Sequence, residues 1–554
     1  MARPFAPALL AADPAALRLL PDGFRHASAR AAAVAAAAAR GVAPGLLAAL
    51  AAQQARLPSD SARDEALERL GRPGAVAVVT GQQVGLFGGP LYALYKAAAA
   101  VRTAQALQAE TGAPAVAVFW LQTEDHDLHE IDHAFVPGDA EPLRLTARPA
   151  DAVADAPRDA ADAAARRPVG AAPLADAVGA AIDAFADAVG GLPHAERTVA
   201  LLRACYRPGA GWAEAFAALF AEVFAGTGLL LLNPRDPAIA ALTAPLHARC
   251  LDEAAPIAAI LQTRSKALEA AGFAPQVHVR PEAPLAFFAP DEVADGSRGA
   301  PRYRLEPRGA DQFALIGDPA GRVVDRAALY RALAERPIAL STSALLRPLL
   351  QDTLLPTAAY LGGPGEIAYF AQLPPLYAHL GVAMPLIVPR ARFRLLDPRS
   401  RGLLARLGLP LAQVLGDETA LRATLAERAA GDGFPSPEAT EAALLADVLP
   451  GLDALGETMA RLDPNLQRTA ERAGAQVRDT VGKLVQRYAA ALGRRDADAW
   501  QRVVRLRALQ APGGVPQERC FCVAWALAWL GPTAAQTIIA ETAPFSGELQ
   551  ELQA

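Results

Sequence analysis

The sequence predicts an α/β protein: a doubly wound parallel sheet split by a long insertion, followed by a C-terminal helical arm that reads as coiled coil. Three observations predict it. A β-branched run, Val76-Ala77-Val78-Val79-Thr80, feeds a glycine-rich turn that opens a helix, and a second apolar run, Ala115 to Trp120, closes a βαβ unit expected to be parallel and right-handed. The same rhythm returns at Ile338 to Arg390 after a long stretch of different character. Beyond Phe393 the strand signals stop, and apolar residues recur at helical spacing with Arg and Glu between them as far as Leu509.

In chain order, Pro14 to Leu70 is rich in Ala, Leu and Arg with few breakers, so helices lead into the first strand. The turn Gly81 to Gly89 places Pro90 in the first turn of a helix from Leu91 to about Glu110, which Thr111-Gly112-Ala113-Pro114 then stops. Asp151 to Arg166 is a low-complexity Ala/Asp stretch, and Gly228 to Pro234 is another apolar strand followed by helix to about Ala271. Between Gln276 and Asp325 short alternating runs with many Pro and Gly indicate a small β-rich insert. Ile338 to Ser343 reads as a strand of the returning core, Ala358 to Leu361 as another ahead of a second glycine turn, Gly362 to Glu366, and Pro385 to Arg390 as a third.

This divides the chain into N-terminal helices plus the first half of the core (1–135), a mainly helical connecting region with one core-type strand (136–275) and the β-rich insert (276–336). The second half of the core (337–394), the arm (395–510) and a C-terminal helix that packs back on the body (511–554) follow. The pattern from Leu455 to Leu509 is the longest helical stretch and the expected coiled coil.

The 554 residues are 53% hydrophobic with a formal net charge of −5, enough apolar surface for a large core and roughly two to four domains. That balance lacks the basic stripe a nucleic-acid partner calls for. Alanine runs such as Ala31 to Ala39 are weakly apolar and bounded by arginine, so they read as helix and no membrane span is expected. The N-terminus shows no secretory pattern, and Cys205, Cys250, Cys520 and Cys522 form no CxxC pair or disulfide framework, so the expectation is a soluble cytoplasmic protein.

Two segments carry chemistry-bearing residues. The turn Gly81 to Gly89 offers backbone N–H groups at a helix start, a shape suited to a phosphate or carboxylate. Lys96 stands two turns into that helix and is one of only three lysines, with Lys266 and Lys483, among 53 basic residues; a compact point charge is the functional reading and a snorkelling lysine the plain one. Glu124 to His133 packs three histidines, three aspartates and two glutamates into ten residues of a chain with eight histidines. As a helix it would set His126, His129, Glu130 and His133 on one face, able to act as acids, bases or metal ligands, although the spacing matches no HExxH-type zinc motif. Glu366, Tyr369 and Arg390 converge at further strand ends, with Ser341, Ser343 and Arg347 at a fourth.

Taken together, TGQQVGLFGGPLYALYK, VFWLQTEDHDLHEIDH, RPLLQD, YLGGPGEIAYFAQL, MPLIVPR and PQER, in this order from about Val76 to Leu527, resemble the cysteine ligase (bacillithiol synthase) family of bacillithiol biosynthesis. The resemblance implies a Rossmann-like core interrupted by connecting peptides, similar to class I cysteinyl-tRNA synthetase and mycothiol ligase, with a coiled-coil arm that makes a homodimer. It implies a ligase that joins L-cysteine to glucosaminyl malate through an amide bond. ATP and an adenine-nucleotide site are candidates only, because the HIGH and KMSKS motifs of the related synthetases are absent as written. No metal is expected.

On this reading Asp125, His126 and Asp127 handle protons and Lys96 meets an anionic substrate group. Gly81, Gln82, Gln83, Gly85, Phe87, Gly88 and Tyr92 from the first turn and helix would bind substrate or nucleotide, as would Glu130. Ser341, Arg347, Gly362, Gly363, Gly365, Glu366, Tyr369 and Arg390 would do so from the second half. Two other classes fit the same residues: a metal-dependent hydrolase or transferase built on the His126 cluster, and a nucleotide- or metabolite-sensing scaffold with a coiled-coil arm.

Overall fold

The computed structural model describes residues 3–138, 141–147, 166–281, 283–309, 311–431 and 433–553. Nearly all of the Asp151 to Arg166 stretch therefore lies outside the described residues. The chain separates into two compact units, one of Met1–Pro137, Pro142–Leu395 and Gln517–Ala554, the other of Gly138–Glu141 and Leu396–Pro516.

The first unit is built on a five-stranded sheet of β1 (Val76–Gln82), β2 (Ala115–Leu121), β3 (Leu230–Leu232), β4 (Thr357–Gly362) and β5 (Leu386–Pro389). Their spatial order is β5-β4-β1-β2-β3, and every pairing is parallel. Alternate residues of each strand serve opposite faces, as a period of two requires. Val76 and Val78 join Ala117 and Phe119 in one apolar cluster, while Ala77 and Val79 join Val118 and Trp120 in another. Both faces are covered, which is why these strands read as unbroken apolar runs. The helix Leu91–Thr111 packs in the first cluster and ends at Gly112, whose φ of 74° is left-handed; Pro90 caps it from outside rather than opening its first turn.

Several expectations are corrected. Leu340–Thr342 does not enter the core sheet: it pairs antiparallel with Ala286–Phe288 and so edges a second sheet that continues through Tyr303–Pro307, Gln312–Ile316 and Val323–Asp325. Glu124 to His133 is not a helix; a loop and a short 3-10 turn, Leu128–Glu130, lead into the strand His133–Val136. Strands also persist beyond Phe393, because Arg392–Leu395 pairs in parallel with Leu549–Leu552.

The C-terminal segment is a core element of this unit. Val523–Glu541 is the one stretch among the described residues long and apolar enough to cross a membrane, yet 67% of it is buried. It is broken at Gly531, and Trp525 and Trp529 lie in the same apolar cluster as Leu86 and Phe87.

The second unit is helical. Pro398–Leu407, Leu411–Val414 and Glu418–Gly431 share a small core with the end of Gln467–Gln510 through Leu407, Leu421, Val503 and Leu506. Pro437–Leu462 and Gln467–Gln510 form an antiparallel hairpin: Gly456 faces Ala470 near the tip, and the Tyr488 hydroxyl donates to the Pro435 carbonyl at the base. The pattern from Leu455 to Leu509 is therefore not one helix. Asp463 accepts from the Asn465 N–H at 2.9 Å and Pro464 opens the turn that reverses the chain.

Candidate active site

The strand order reverses between β1 and β4, and open parallel sheets bind ligands at that switch point, outside the carboxyl ends of the strands. A cavity of about 610 Å³ lies there. Gln82, Gln83, Tyr92 and Lys96 reach it from the end of β1 and the following helix, and Glu124, Asp125, His126 and Glu130 from the loop after β2. Arg302, Thr342 and Ser343 come from the second sheet, and Arg347 from the helix that follows it. Gly363, Gly365, Glu366 and Tyr369 come from the turn after β4, Arg390 from the end of β5, and Arg519 from the C-terminal segment.

The β1–β4 seam is held by charge. Lys96 is almost fully buried, and its Nζ lies 2.5 Å from a Glu366 oxygen while donating to the Gly81 carbonyl at 2.9 Å and to Gln82 Oε1 at 3.1 Å. All three of its N–H donors are thus engaged. Glu366 also accepts from the Gly363 N–H at 2.7 Å and from the Tyr360 hydroxyl at 2.5 Å. Burial alone would raise the Glu366 pKa, but the Lys96 charge and these hydrogen bonds outweigh it and hold the carboxyl below its usual range. Behind it the Arg347 guanidinium donates to the Tyr360 and Tyr369 hydroxyls at 3.1 and 2.9 Å and to Gln351 Oε1 at 3.0 Å. Gln351 passes the chain of hydrogen bonds to the fully buried Asp352.

A second cationic corner surrounds Tyr92, whose ring centroid lies 5.2 Å from the Arg390 guanidinium and 5.8 Å from that of Arg519. Consecutive residues of the C-terminal segment build it. Gln517 braces the Leu395 backbone through both its N–H and C=O, Glu518 grips Arg390 with two hydrogen bonds of 3.0 and 2.7 Å, and Arg519 is left exposed on the cavity wall.

The acidic side is organised by Arg302. This buried arginine stacks on Phe287 at 4.5 Å, donates to Ser341 Oγ at 3.1 Å and directs Nε and Nη2 to His126 Nδ1 at 3.3 and 3.0 Å. Asp125 accepts from Gln83 Nε2 at 2.8 Å and from the His126 N–H at 2.7 Å, with Arg302 at 3.7 Å. Burial would raise its pKa; these donors and the Arg302 charge prevail, so its carboxyl sits below the usual range. His126 is lowered, first by burial and then by the Arg302 charge. Glu124 keeps some surface open to the cavity but is otherwise enclosed by protein, and that enclosure raises its pKa against the opposing pull of Arg302 and a 3.1 Å hydrogen bond from Thr342 Oγ1.

The structure leaves some expected site residues outside. Gly85, Phe87 and Gly88 do not line the cavity: Phe87 is buried against Phe185 and Tyr206, and a Cβ on Gly88 would come within 2.8 Å of Val523. Nor is the first glycine turn an anion cradle. The N–H groups of Gly85, Leu86, Gly88 and Gly89 already reach Gln83 O, Ile131 O, Tyr206 Oη and Leu86 O. Gly81 is required for another reason, since a Cβ there would lie 2.8 Å from the Trp120 carbonyl. Asp127 is exposed and caps the His129 N–H at 3.0 Å. His129 and His133 diverge from His126, one exposed and one on the hairpin strand, and among the described residues no three His, Cys, Asp or Glu side chains converge as a metal-ligand set.

Sequence reasoning missed Arg302 and Phe287, which come from the insert and carry no motif, passed over Thr342 beside Ser341 and Ser343, and left Glu124 and Arg519 unassigned although both stand in quoted motifs.

A parallel sheet reversing at its centre, with a polar cavity at the reversal and a helical hairpin unit beside it in sequence, defines a Rossmann-like α/β protein with a C-terminal coiled-coil module. Residues 24–391 match the bacillithiol biosynthesis BshC N-terminal Rossmann-like domain, and residues 393–553 match the BshC C-terminal coiled-coil domain. The chain belongs to this family. It is 38% identical over 477 residues to the Koribacter versatilis protein named "Putative cysteine ligase BshC", covering 85% of this chain and 83% of that one. Proteins of the same name from Solibacter usitatus and Geobacillus thermodenitrificans are 34% and 29% identical, over 86% of this chain in each case and 83% and 84% of theirs. The matched coiled-coil region includes the last residues of the chain, which in space belong to the Rossmann-like unit.

Proposed function

We propose that this protein is an amide-forming ligase that joins the carboxyl group of L-cysteine to the amine of glucosaminyl malate, the last step of bacillithiol biosynthesis. The observation that carries the reading is the switch-point cavity, where carboxylates from the loop after β2 face guanidinium groups from four other segments, in a chain of this family. Amide formation needs an acyl carbon, an attacking amine, a group to take the amine's proton and donors for the oxygen that gains charge. The acidic side suits an ammonium or amine. Arg519, whose guanidinium pairs with no carboxylate among the described residues, and Ser343, whose buried Oγ lacks a hydrogen-bond partner, are placed to receive polar substrate groups. Lys96 supports the site as a positioning residue between β1 and Glu366.

The N–H groups of Gly85, Leu86, Gly88 and Gly89 are already engaged within the protein, which disfavours this part of the first glycine turn as a phosphate site. The activated form of the cysteine carboxyl enters as part of the substrate chemistry. The arm is the element proposed to make a homodimer, and the cytoplasm the proposed compartment.

Purified protein given glucosaminyl malate, cysteine and ATP is expected to yield the cysteinyl product, seen as a new thiol by mass spectrometry, with omission of ATP as the informative control. Deleting the gene is expected to remove that thiol from the host. A deletion strain with normal levels and no paralogue overturns the reading; binding of substrates without turnover would point to the sensing scaffold, and turnover lost with a stoichiometric bound transition metal to the metal-dependent class.

A further inference from the structure

An arginine side chain has only donors. Both Arg302 contacts to the His126 ring end on Nδ1, so that nitrogen is unprotonated and the single ring proton of neutral His126 sits on Nε2. Nε2 has no protein partner among the described residues, and the ring lines the cavity. Protonating Nδ1 would set an imidazolium against a buried guanidinium. Asp125, 3.9 Å from Nδ1, offsets that cost only in part. His126 is therefore held as an N–H donor and is poorly placed to act as a base, where the sequence led to the expectation of a proton-handling role.

The proton must go elsewhere. Four carboxylates line the cavity. Glu366 is paired with Lys96, and Glu130 is exposed and bound to Gln83. Asp125 accepts from Gln83 and the His126 N–H and pairs with Arg302, all of which favour its charged form and weaken it as a base. Glu124 alone is enclosed with a single hydrogen-bonding residue, Thr342.

We propose that Glu124 accepts the proton of the attacking amine while His126 Nε2–H is a fixed donor to the acyl oxygen. The assignment rests on the ligase reading. The amine nitrogen attacks the acyl carbon of a cysteine carboxyl activated as a mixed anhydride with phosphate. The C–N bond forms, the C–O bond to phosphate breaks and its electron pair departs with the phosphate. The amine's proton passes to the Glu124 carboxylate and then to water, and His126 keeps its own. Enclosure by protein raises the Glu124 pKa, the direction that strengthens a carboxylate as a proton acceptor. Arg302 and Arg235 are the charged groups that act on it, and the Thr342 hydroxyl is its hydrogen-bond donor.

Glu124→Gln, checked for folding by thermal melting, is expected to lower kcat by about 10²- to 10⁴-fold with KM changed only a few-fold. Thr342→Val keeps the carboxylate but removes the donor that favours its charged form, so the acidic limb of kcat is expected to move to higher pH. Nitrogen-15 spectra of the wild-type His126 ring near neutral pH are expected to show Nδ1 bare and Nε2 protonated. Full activity in Glu124→Gln, or an unmoved limb in Thr342→Val, overturns the base assignment while leaving the ligase reading intact. A wild-type protein that makes no amide overturns the ligase reading and the base assignment together, whereas the ring spectra decide the His126 assignment in either case.

Discussion

The Lys96 ammonium lies 2.5 Å from the Glu366 carboxylate, joining the helix after β1 to the turn after β4 across the point where the sheet reverses. The pair is nearly dry, so its partners are interdependent: each cancels a charge that the interior would otherwise reject. Tyr360, Arg347 and Tyr369 are hydrogen-bonded behind it, and one side of the cavity inherits its geometry from this contact.

Removing one partner should therefore cost more than removing both. Lys96→Met is expected to destabilise the protein by about 3–5 kcal/mol, because Glu366 is left as an unpaired buried charge, and Lys96→Met with Glu366→Gln to recover a substantial part of it. Chemical denaturation of the two single variants and the double variant measures the difference. Lys96→Ala should also lower turnover by about ten- to ten-thousand-fold through the disturbed site.

The same pair predicts a pH dependence. The folded-state pKa of Glu366 lies below its ordinary value, so the unfolded chain binds more protons in acid. Its stabilisation is complete above the ordinary glutamate value of about 4.3 and is lost as pH falls through the lower folded-state value. Asp125 adds a loss of the same sign. Thermal melts through this acidic range should fall steeply for wild type and less steeply for Glu366→Gln.

Arg302 is expected to govern the titration of His126. Its charge adds to burial in lowering the histidine's pKa, so Arg302→Gln should raise it and free Nδ1 for protonation. Ring resonances followed against pH report the shift directly; an unchanged His126 in this variant would mean that burial alone sets its pKa.

How far the sequence carried depends on the range of the interactions involved. The core strands at Val76, Ala115 and Leu386 were legible because strands buried on both faces must be apolar throughout, which is a local property. Leu340–Thr342 was assigned to the wrong sheet because a three-residue strand, Leu-Ser-Thr, carries too short a pattern to tell the edge of one sheet from that of another. The pairing of Arg392–Leu395 with Leu549–Leu552 leaves no local trace, and neither does the meeting of Arg302 with His126. The first glycine turn was read as a cradle because its conformation is encoded locally. Where its N–H groups point depends on Ile131 and Tyr206, far along the chain. The turn's glycines answer to close packing instead: Gly88 admits Val523, and Gly85 approaches Gly89.

None of the protein's own thiols is expected to act in catalysis. Burial pushes Cys205 and Cys520 up to about 11 and Cys250 and Cys522 up to about 12, so thiolate is scarce at neutral pH. Single Cys→Ala variants should retain turnover, and brief alkylation of the folded protein before substrate is added should not inactivate it. Loss of activity that tracks modification of one cysteine would contradict this.

The helical hairpin presents an apolar stripe that the hairpin itself does not cover. Leu444, Val448, Leu455 and Leu462 follow one another at steps of four, seven and seven, which keeps them within about 40° of one helix face at 3.6 residues per turn. Their exposures are 36%, 43%, 55% and 86%. Such a stripe matches the heptad seam of a coiled coil, and the proposed occupant is the same stripe of a second copy. Val448→Glu with Leu455→Glu should then convert a dimer into a monomer in sedimentation equilibrium. The helix content should stay unchanged in circular dichroism, since both side chains face outward. A dimer that survives these charges would place the subunit contact elsewhere. A chain that is monomeric before substitution would remove the arm from any role in assembly.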